Sequence, residues 1–164
     1  MDVWAYPYRM LNLPTPELNF FADLSVRVDK PLEVGQALHG MRRVIPILGG
    51  EVQGQGWSAR VLPGGADFQL ILNQRMAELD ARYVIETDGG DLIFVQNRAV
   101  RTAAPEVMAK LVRGEPVEPE SVYFRCSPSF ETASNALSWI NERLFVGTGA
   151  RHPDRVVMRF FEVA

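Results

Sequence analysis

The feature that most constrains the fold of this chain is an alternation of apolar and polar side chains with a period of two residues. In residues 18–28 every even position from Leu18 to Val28 is apolar, whereas most of the odd positions are polar. This period places alternate side chains on opposite faces of a β-strand. Similar short segments rich in Val, Ile and aromatic residues follow at 38–48, 51–62, 67–73, 78–87, 91–100, 121–127, 143–150 and 156–163. The sequence therefore predicts about nine strands.

Turn and helix signals divide these strands. Asp88-Gly89-Gly90 predicts a tight hairpin, because glycine readily supplies the positive φ that such turns require. Residues 104–113 have Pro105 near their start, apolar residues at helical spacing and Gly114 just past their end, which predicts one helix. A shorter helical turn is expected within residues 132–141.

About nine strands and one short helix cannot alternate as strand-helix-strand units, so a parallel sheet is excluded. We expect an all-β, mainly antiparallel fold in which residues 1–164 form a single β-barrel domain and residues 1–16 an irregular N-terminal segment. Pro46 and the glycines between positions 49 and 56 lie where bulges and bends would let one sheet curl on itself.

Composition excludes several classes of function. The net charge of -3, without a stripe of Lys and Arg, argues against binding of nucleic acid, and no apolar run is long enough for a membrane helix. The single Cys126 cannot form an intrachain disulfide, and no secretory signal pattern opens the chain, so a cytoplasmic location is expected. The two histidines, His39 and His152, lie far apart in sequence, and we expect no metal site.

One motif resembles a dinucleotide-binding fingerprint. Gly54-Gln55-Gly56-Trp57-Ser58-Ala59 has the required glycine spacing, but that motif functions where it opens a helix whose N-terminus faces the pyrophosphate. Arg60, Val61, Leu62 and Pro63 follow instead, and they do not start a helix. The segment is interpreted as part of a glycine-bent strand, and no cofactor is expected.

Several motifs in one fixed order resemble a known family. They are Arg42-Arg43-Val44-Ile45-Pro46-Ile47-Leu48-Gly49-Gly50, Leu62-Pro63-Gly64-Gly65-Ala66-Asp67-Phe68-Gln69, Tyr123-Phe124-Arg125 and Phe145-Val146-Gly147-Thr148-Gly149. Over residues 18–163 the chain resembles domain-of-unknown-function family 3237, also called uncharacterised protein family 0311. The resemblance implies a closed, calycin-like antiparallel barrel that is often a homo-oligomer. It implies no established general activity.

Asp67 is the first candidate catalytic residue. It begins a predicted strand directly after a tight turn that contains Gly64 and Gly65, and loops held by a rigid sheet often carry binding groups. Its carboxylate is a candidate for orienting a ligand or acting as a base. The alternative is that Asp67 accepts backbone N–H bonds within its own turn, as turn aspartates often do.

Two charged strand faces supply the other candidates. Arg82 and Glu86 share one face of segment 78–87, and Tyr123 and Arg125 share one face of segment 121–127. If these faces line the barrel interior, they converge with Asp67 on a polar cavity that binds a carboxylate, enolate or phenol, with Tyr123 as a second proton-transfer group. If they face outward, they form solvated ion pairs.

Trp139 and Asn141 are further candidates for ligand binding, because they follow a predicted bend. A place on the cavity rim and a role in a helix cap explain these two residues equally well.

These residues lead to three functional hypotheses. The first is a cofactor-independent enzyme that isomerises, hydrates or dehydrates a small carboxylated or phenolic metabolite by proton transfer. The second is a carrier or sensor that binds such a small organic molecule without changing it. The third is a structural assembly module whose glycine-rich loops form contacts between subunits.

Overall fold

A computed structural model describes residues 12–164 of the chain. Most of the expected irregular segment 1–16 lies outside these residues, and the described part, residues 12–16, contains neither helix nor strand. The strands are β1 Leu18–Val28, β2 Leu32–Ala37, β3 Gly40–Gly54, β4 Ser58–Val61, β5 Ala66–Ile71, β6 Met76–Thr87, β7 Leu92–Ala103, β8 Val122–Thr132, β9 Leu144–Arg151 and β10 Arg155–Val163. One α-helix, α1, spans Pro105–Val112, and two 3₁₀ helices span Pro119–Ser121 and Asn135–Glu142.

The strands form one closed antiparallel barrel. Its order is β1, β10, β9, β8, β7, β6, β4 and β3, and β1 pairs with β3 to close the ring. β5 lies in line with β4, because both strands pair with β3 on one side and β6 on the other. β2 pairs with the start of β3. The barrel therefore has eight strand positions and two additional strands, and the expected all-β barrel is confirmed.

The predicted strand boundaries are wrong around residues 32–62. Gly49-Gly50 was expected to separate two strands, but β3 continues through both glycines. Leu48 forms a bulge, because the pairing between β1 and β3 shifts by one residue there. Gly50 is needed there for close approach: a Cβ atom would collide with the backbone carbonyl of Ser25 on β1. β2 was missed because its residues are mostly exposed and show no alternation.

Two turns match the local sequence. The hairpin between β6 and β7 is confirmed: Thr87 N donates to Asp91 O at 2.9 Å, and Gly90 adopts a φ of 87°. The fingerprint-like segment forms the hairpin between β3 and β4, closed by Gly54 N donating to Trp57 O at 2.9 Å. It is therefore a turn between two strands and not one bent strand.

Aromatic side chains fill one end of the barrel. We define the aromatic cluster as Phe21, Trp57, Phe130, Trp139, Phe145 and Phe160, whose neighbouring ring centroids lie 4.8–6.2 Å apart. The 3₁₀ helix Asn135–Glu142 confirms the expected helical turn and covers this end with the buried side chain of Ile140. Phe21, Phe130, Phe145 and Phe160 belong to the main hydrophobic core, against which Trp57 packs, and this core continues along the barrel with aliphatic side chains.

Helix α1 lies near the opposite end of the barrel. It confirms the predicted helix, with Pro105 in its first turn. Met108 and Leu111 on its buried face pack with Ala103 at the end of β7 in a second, smaller core. This arrangement leaves the interior between the aromatic cluster and α1 for polar groups.

Candidate functional site

A cavity lies inside the barrel beyond the aromatic cluster. The centre of a water molecule can occupy about 40 Å³ of this cavity. That space has room for a few small atoms. Its polar lining consists of Asp67, Gln69, Tyr83, Asn97, Arg101 and Arg151, and we call this space the polar cavity. Its remaining walls are apolar side chains of six strands, among them Ile45, Leu79, Phe124 and Met158. Concave, mostly apolar sites with a few converging polar groups are typical of small-molecule binding.

Asp67 lies at the start of β5, after the tight turn, and faces the polar cavity. Its Oδ2 atom accepts a hydrogen bond of 2.7 Å from Gln69 Nε2. Its Oδ1 atom is buried without a hydrogen-bond partner among residues 12–164, although the residue as a whole is only half-buried. Burial raises the pKa of Asp67, and the opposing effects of Gln69 and Arg101 do not cancel the rise. The site therefore contains a carboxyl group with a free oxygen and increased basicity.

Arg101 lies near the end of β7 and is 2% exposed. Within the described part of the chain its Nε atom has no hydrogen-bond partner, and its guanidinium forms no ion pair. Burial lowers the pKa of Arg101 to about 10, against the attraction of Asp67, and the nearby cations Arg151 and Arg43 lower it further. Arg101 is therefore a buried cation without a contacting counter-ion in residues 12–164.

Three neutral side chains complete the polar cavity. In residues 12–164, the hydroxyl of Tyr83, Oε1 of Gln69 and Oδ1 of Asn97 are buried without hydrogen-bond partners. The Nδ2 atom of Asn97 contacts Met158 Sδ at 3.3 Å, which is a weak interaction. Burial raises the pKa of Tyr83 well above its usual range, so this phenol stays protonated and available as a donor. Polar atoms that are normally satisfied in native proteins thus lack partners in the side chains that line this cavity.

The expectation that Tyr123 and Arg125 share a cavity with Asp67 is wrong. Both side chains lie on the outer face of β8, and Tyr123 is 54% exposed. The Arg125 guanidinium lies 4.9 Å from the centre of the Tyr123 ring and donates to the carbonyl of Phe124 at 2.9 Å. The inward face of β8 carries Phe124 and Cys126 instead, because apolar residues take the buried positions of the strand.

Arg82 and Glu86 also lie on the outer surface and do not approach the polar cavity. Arg82 forms an ion pair of 3.0 Å with Asp80, and Glu86 forms one of 2.8 Å with Arg60. These two side chains therefore match the alternative prediction, in which the charged faces point outward and form solvated ion pairs. The inward face of β6 carries Tyr83.

Trp139 and Asn141 lie at the aromatic end, away from the polar cavity. Trp139 is 42% exposed and packs its ring edge against Phe21 at 5.9 Å between centroids. Asn141 bonds to the backbone of Thr132, accepting from its N–H at 2.9 Å and donating to its carbonyl at 3.1 Å. These contacts give Asn141 a local structural role that joins the 3₁₀ helix to the end of β8.

Five polar residues of the cavity were not predicted from the sequence: Gln69, Tyr83, Asn97, Arg101 and Arg151. A signal was present in β7, where the buried positions Ile93, Val95, Asn97, Ala99 and Arg101 alternate along one face. A polar amide and a guanidinium on an otherwise apolar strand face indicate either a polar cavity or a buried network. The predicted candidates lie on the charged strand faces, whereas the residues that line the cavity are polar exceptions on the apolar faces.

Among residues 12–164, no group of three or more His, Cys, Asp and Glu side chains comes close enough to hold a metal ion. Over the same residues, no helix has the length and apolar character needed to cross a membrane.

Comparison with known sequences identifies a family. Residues 16–163 match the family described as "Protein of unknown function (DUF3237)". A UPF0311 protein of Rhodopseudomonas palustris is 45% identical over 150 residues, which cover 92% of this chain and 98% of that protein.

Solved structures agree with this fold. The crystal structure of a conserved protein of unknown function from R. palustris has a TM-score of 0.87 at 43% identity, covering 93% of this chain and 100% of that one. A protein from Acinetobacter baumannii described as β-barrel like has a TM-score of 0.82 at 34% identity, covering 93% and 99%. A structure described as an enzyme from Penicillium herquei has a TM-score of 0.69 at 18% identity, covering 94% and 100%, and shows similarity of fold alone.

Proposed function

The chain belongs to the DUF3237 (UPF0311) family, and we propose that its barrel binds a small carboxylated or phenolic anion in the polar cavity and transfers a proton on it. The observation that carries the proposal is Arg101, a buried arginine that contacts no acidic group in residues 12–164. An uncompensated buried charge is costly, and a bound anion would remove most of that cost. The same guanidinium can hold a carboxylate through two parallel hydrogen bonds.

Asp67 is the proposed proton-transfer group. Its raised pKa makes the carboxylate a stronger base, and its Oδ1 atom is not occupied by another residue of the described chain. In an isomerisation, Asp67 takes a proton from a carbon beside the ligand's acid group, and Arg101 stabilises the resulting negative charge. The protonated Asp67 then returns the proton to a neighbouring atom, so no electrons or atoms are gained or lost.

Tyr83 and Asn97 would orient the ligand. The phenol of Tyr83 can donate a hydrogen bond to an oxygen on which charge develops, because its raised pKa keeps the proton in place. The free oxygen of Asn97 can accept a bond from a ligand hydroxyl. Both contacts would satisfy atoms that the folded chain leaves open.

A carrier or sensor is the second candidate function, and the enclosure of the site favours it. The small open volume of the polar cavity suits retention of a ligand, and binding alone would satisfy Arg101. An assembly module would need no interior cavity, so the polar cavity favours the two ligand-binding functions over this third one.

Binding can be tested by calorimetry with acetate, lactate, pyruvate, malonate and 4-hydroxybenzoate, each compared with its uncharged amide. We expect the wild-type protein to bind at least one acid and to bind its amide more weakly. Arg101→Met should weaken acid binding roughly ten- to hundredfold, because charge-assisted hydrogen bonds are lost. Arg125→Met makes the same substitution on the outer face and should leave binding unchanged. Absence of acid binding, or equal binding by wild-type protein and Arg101→Met, contradicts the proposal.

Catalysis and carriage can then be separated by NMR. Bound pyruvate or malonate in D₂O should exchange its carbon-bound protons faster with the wild-type protein than with buffer. Asp67→Asn should abolish that acceleration while retaining binding, because the amide cannot take up the proton. Binding without any accelerated exchange in the wild-type protein would instead support the carrier.

A further inference from the structure

The junction between β8 and β9 has the least backbone pairing in the barrel. Within residues 12–164 these strands share two residue pairs, Arg125 with Thr148 and Cys126 with Gly147. On their other sides, β8 shares eleven pairs with β7, and β9 shares eight with β10. Every other junction of the ring has at least seven pairs when β4 and β5 are counted as one strand position. Because antiparallel pairs mark the backbone hydrogen bonds, this junction separates most readily.

The unpaired part of this junction borders the polar cavity. Continuing the register of the two pairs would bring residues 122–124 opposite 149–151, but β8 and β9 do not pair there. We call these two segments the seam. Phe124 and Arg151 line the polar cavity, and Arg101 is the partner of Phe124 across the pairing of β7 with β8. An opening at the seam therefore leads directly to the buried Arg101.

The other end of the junction is held by side chains and by the connecting chain. Ser127 Oγ on β8 donates to the carbonyl of Phe145 on β9 at 3.2 Å. Pro128 has no N–H to give to a neighbouring strand, which limits backbone pairing there. The connection from β8 to β9 runs through the 3₁₀ helix Asn135–Glu142, whose Ile140 side chain is buried. Separation of the two strands is thus confined to the seam.

The ring of Phe124 covers the seam from the inside. Phe124 is buried, and a Cβ atom on Gly149 would lie 2.8–2.9 Å from three of its ring carbons. That distance is shorter than side chains tolerate, so glycine at position 149 allows the ring to lie across the seam. A ring contact therefore stands where backbone pairing is missing. One side chain changes rotamer far faster than a paired strand separates, so this contact can open and reclose without unfolding the barrel.

We propose that the seam is the route by which a ligand reaches and leaves the polar cavity, with the Phe124 ring as its gate. A buried site exchanges its ligand only if part of the wall moves. In the open state the ring leaves Gly149 and the seam separates, while the two paired positions beside it act as the hinge. Return of the ring excludes water from the space around Arg101, where an anion is then held more strongly. The inference rests on the proposed function for the identity of the ligand, whereas opening of the seam is a property of the unliganded protein.

Hydrogen–deuterium exchange followed by mass spectrometry tests the opening without any ligand. Residues 122–124 and 149–151 are paired on one side only, whereas residues 99–101 of β7 and 156–158 of β10 are paired on both sides. We expect part of the amide hydrogens of the seam to exchange roughly tenfold faster than those of the two fully paired segments, because local opening exposes them to solvent. Equal protection of all four segments refutes the opening.

A disulfide across the outer face of the seam tests the route. Tyr123 and Ala150 face outward at opposing positions of the continued register, so Tyr123→Cys with Ala150→Cys would lock the seam. Arg125→Cys with Thr148→Cys is the matched control, because it places the same bond at an outward pair that is already joined. Both are made together with Cys126→Ala, which removes the native thiol, and mass spectrometry confirms each disulfide.

The readout is exchange of the Arg101 Nε–H with solvent, followed by nitrogen NMR and assigned by its absence from Arg101→Met. Oxidation of the seam disulfide should slow this exchange roughly tenfold, because it blocks local opening. The reduced form and the oxidised control should exchange like the wild type. Association of acetate and 4-hydroxybenzoate should slow on oxidation of the seam disulfide and stay unchanged in the control.

A second variant tests the gate without any disulfide. Phe124→Ala removes the ring and should speed exchange of the Arg101 Nε–H roughly tenfold, because the seam then stays uncovered. Phe130→Ala makes the same truncation on the inner face of β8 at the aromatic end and should leave that rate unchanged. Both variants are measured after circular dichroism has shown that they are folded.

The outcomes separate this inference from the proposed function. If the oxidised seam variant and its control exchange alike, ligands pass elsewhere, for example at the α1 end, and the seam is refuted while the anion site stands. Unchanged exchange in Phe124→Ala refutes the gate. If none of the acids named above binds to the wild type but the seam disulfide still slows exchange of Arg101, the proposed function is refuted and the seam stands as the route of solvent.

Discussion

Replacing Arg101 with methionine should make the unliganded protein more stable. In the described chain Arg101 is 2% exposed, has an unpartnered Nε atom and forms no ion pair, so its charge is an unfavourable part of the fold. Methionine has similar length, carries no charge and adapts its shape to irregular apolar spaces. Replacing an arginine that contacts a buried acid would instead lower the free energy of unfolding by about 3–5 kcal/mol. The sign of the change in stability therefore distinguishes a paired arginine from an unpaired one.

The size of the gain follows from the pKa. The fall in the pKa of Arg101 from its usual value to about 10 corresponds to roughly 3 kcal/mol of unfavourable free energy for its charged form in the folded state. This value already includes the attraction of Asp67, but imperfect packing of the methionine is expected to take back about 1 kcal/mol. We therefore expect the free energy of unfolding to rise by about 2 kcal/mol, within the range of 1–4 kcal/mol known for apolar replacement of buried ions.

Urea unfolding and thermal denaturation in a buffer without organic acids measure this difference. For a domain of this size a gain of about 2 kcal/mol raises Tm by roughly 4–8 °C. Arg125→Met, on the outer face, should change Tm by less than about 2 °C, because surface substitutions have small effects. A fall in Tm for Arg101→Met would refute the reasoning, since it would mean that the guanidinium makes a stabilising contact in the folded protein.

Three other substitutions test the interior in the same assays. Asp67→Asn should raise Tm more at pH 8 than at pH 4. Because the pKa of Asp67 is raised in the folded state, its carboxyl group favours folding only while it is protonated, and it becomes unfavourable as pH rises through that pKa. An equal effect at both pH values would contradict the raised pKa. Tyr83→Phe should raise the free energy of unfolding by about 1 kcal/mol, because it removes a buried hydroxyl without a partner in residues 12–164. A fall of more than about 1 kcal/mol in the free energy of unfolding would mean that this hydroxyl makes a hydrogen bond in the folded protein. Phe160→Ala should cost about 3–5 kcal/mol, because its side chain is fully buried, and a cost below 1 kcal/mol would mean that the aromatic cluster repacks easily.

The sequence was sufficient for most of the barrel. The alternation in residues 18–28 predicted the bounds of β1, and its even positions Ala22, Leu24 and Val26 are buried as expected. A bulge between Phe20 and Ala22 inverts the pattern at the start of the strand, where Phe21 is buried and Leu18 and Phe20 are exposed. The Asp88-Gly89-Gly90 turn and the helix after Pro105 were also predictable, since both depend on backbone preferences of a few neighbouring residues. β2 was not predictable in this way, because its pairing with β3 comes from tertiary contact and leaves no alternating pattern.

The site was harder to predict, because a period of two identifies two faces of a strand without saying which one is inside. In β8 the charged face with Tyr123 and Arg125 was a chemically attractive candidate, yet the interior accepts the face with the greater apolar area. In β7 the interior face includes Arg101 and Asn97 because its other residues, Ile93, Val95, Ala99 and Ala103, are apolar enough to keep that face buried. Such a residue is an exception to the pattern, and only the spatial neighbours across the barrel show whether it is paired. Asp67 was found because its turn has a local sequence signal.

The position of the aromatic cluster explains how the barrel can keep unpaired charges inside. β7 carries Arg101 at one end and Val95 opposite Phe130 towards the other, and β10 carries Met158 beside the polar cavity and Phe160 within the aromatic cluster. β7, which carries Arg101, is hydrogen-bonded to β8, which carries Phe130, so the costly polar group and the aromatic packing belong to neighbouring strands of one sheet. Because β7 is held by hydrogen bonds to β6 and β8 on its two sides, its polar side chains cannot withdraw from the cavity without disturbing the barrel. Donors held in this way before a ligand arrives need little reorganisation to stabilise an anion, and this pre-organisation gives buried charges their value in binding and catalysis.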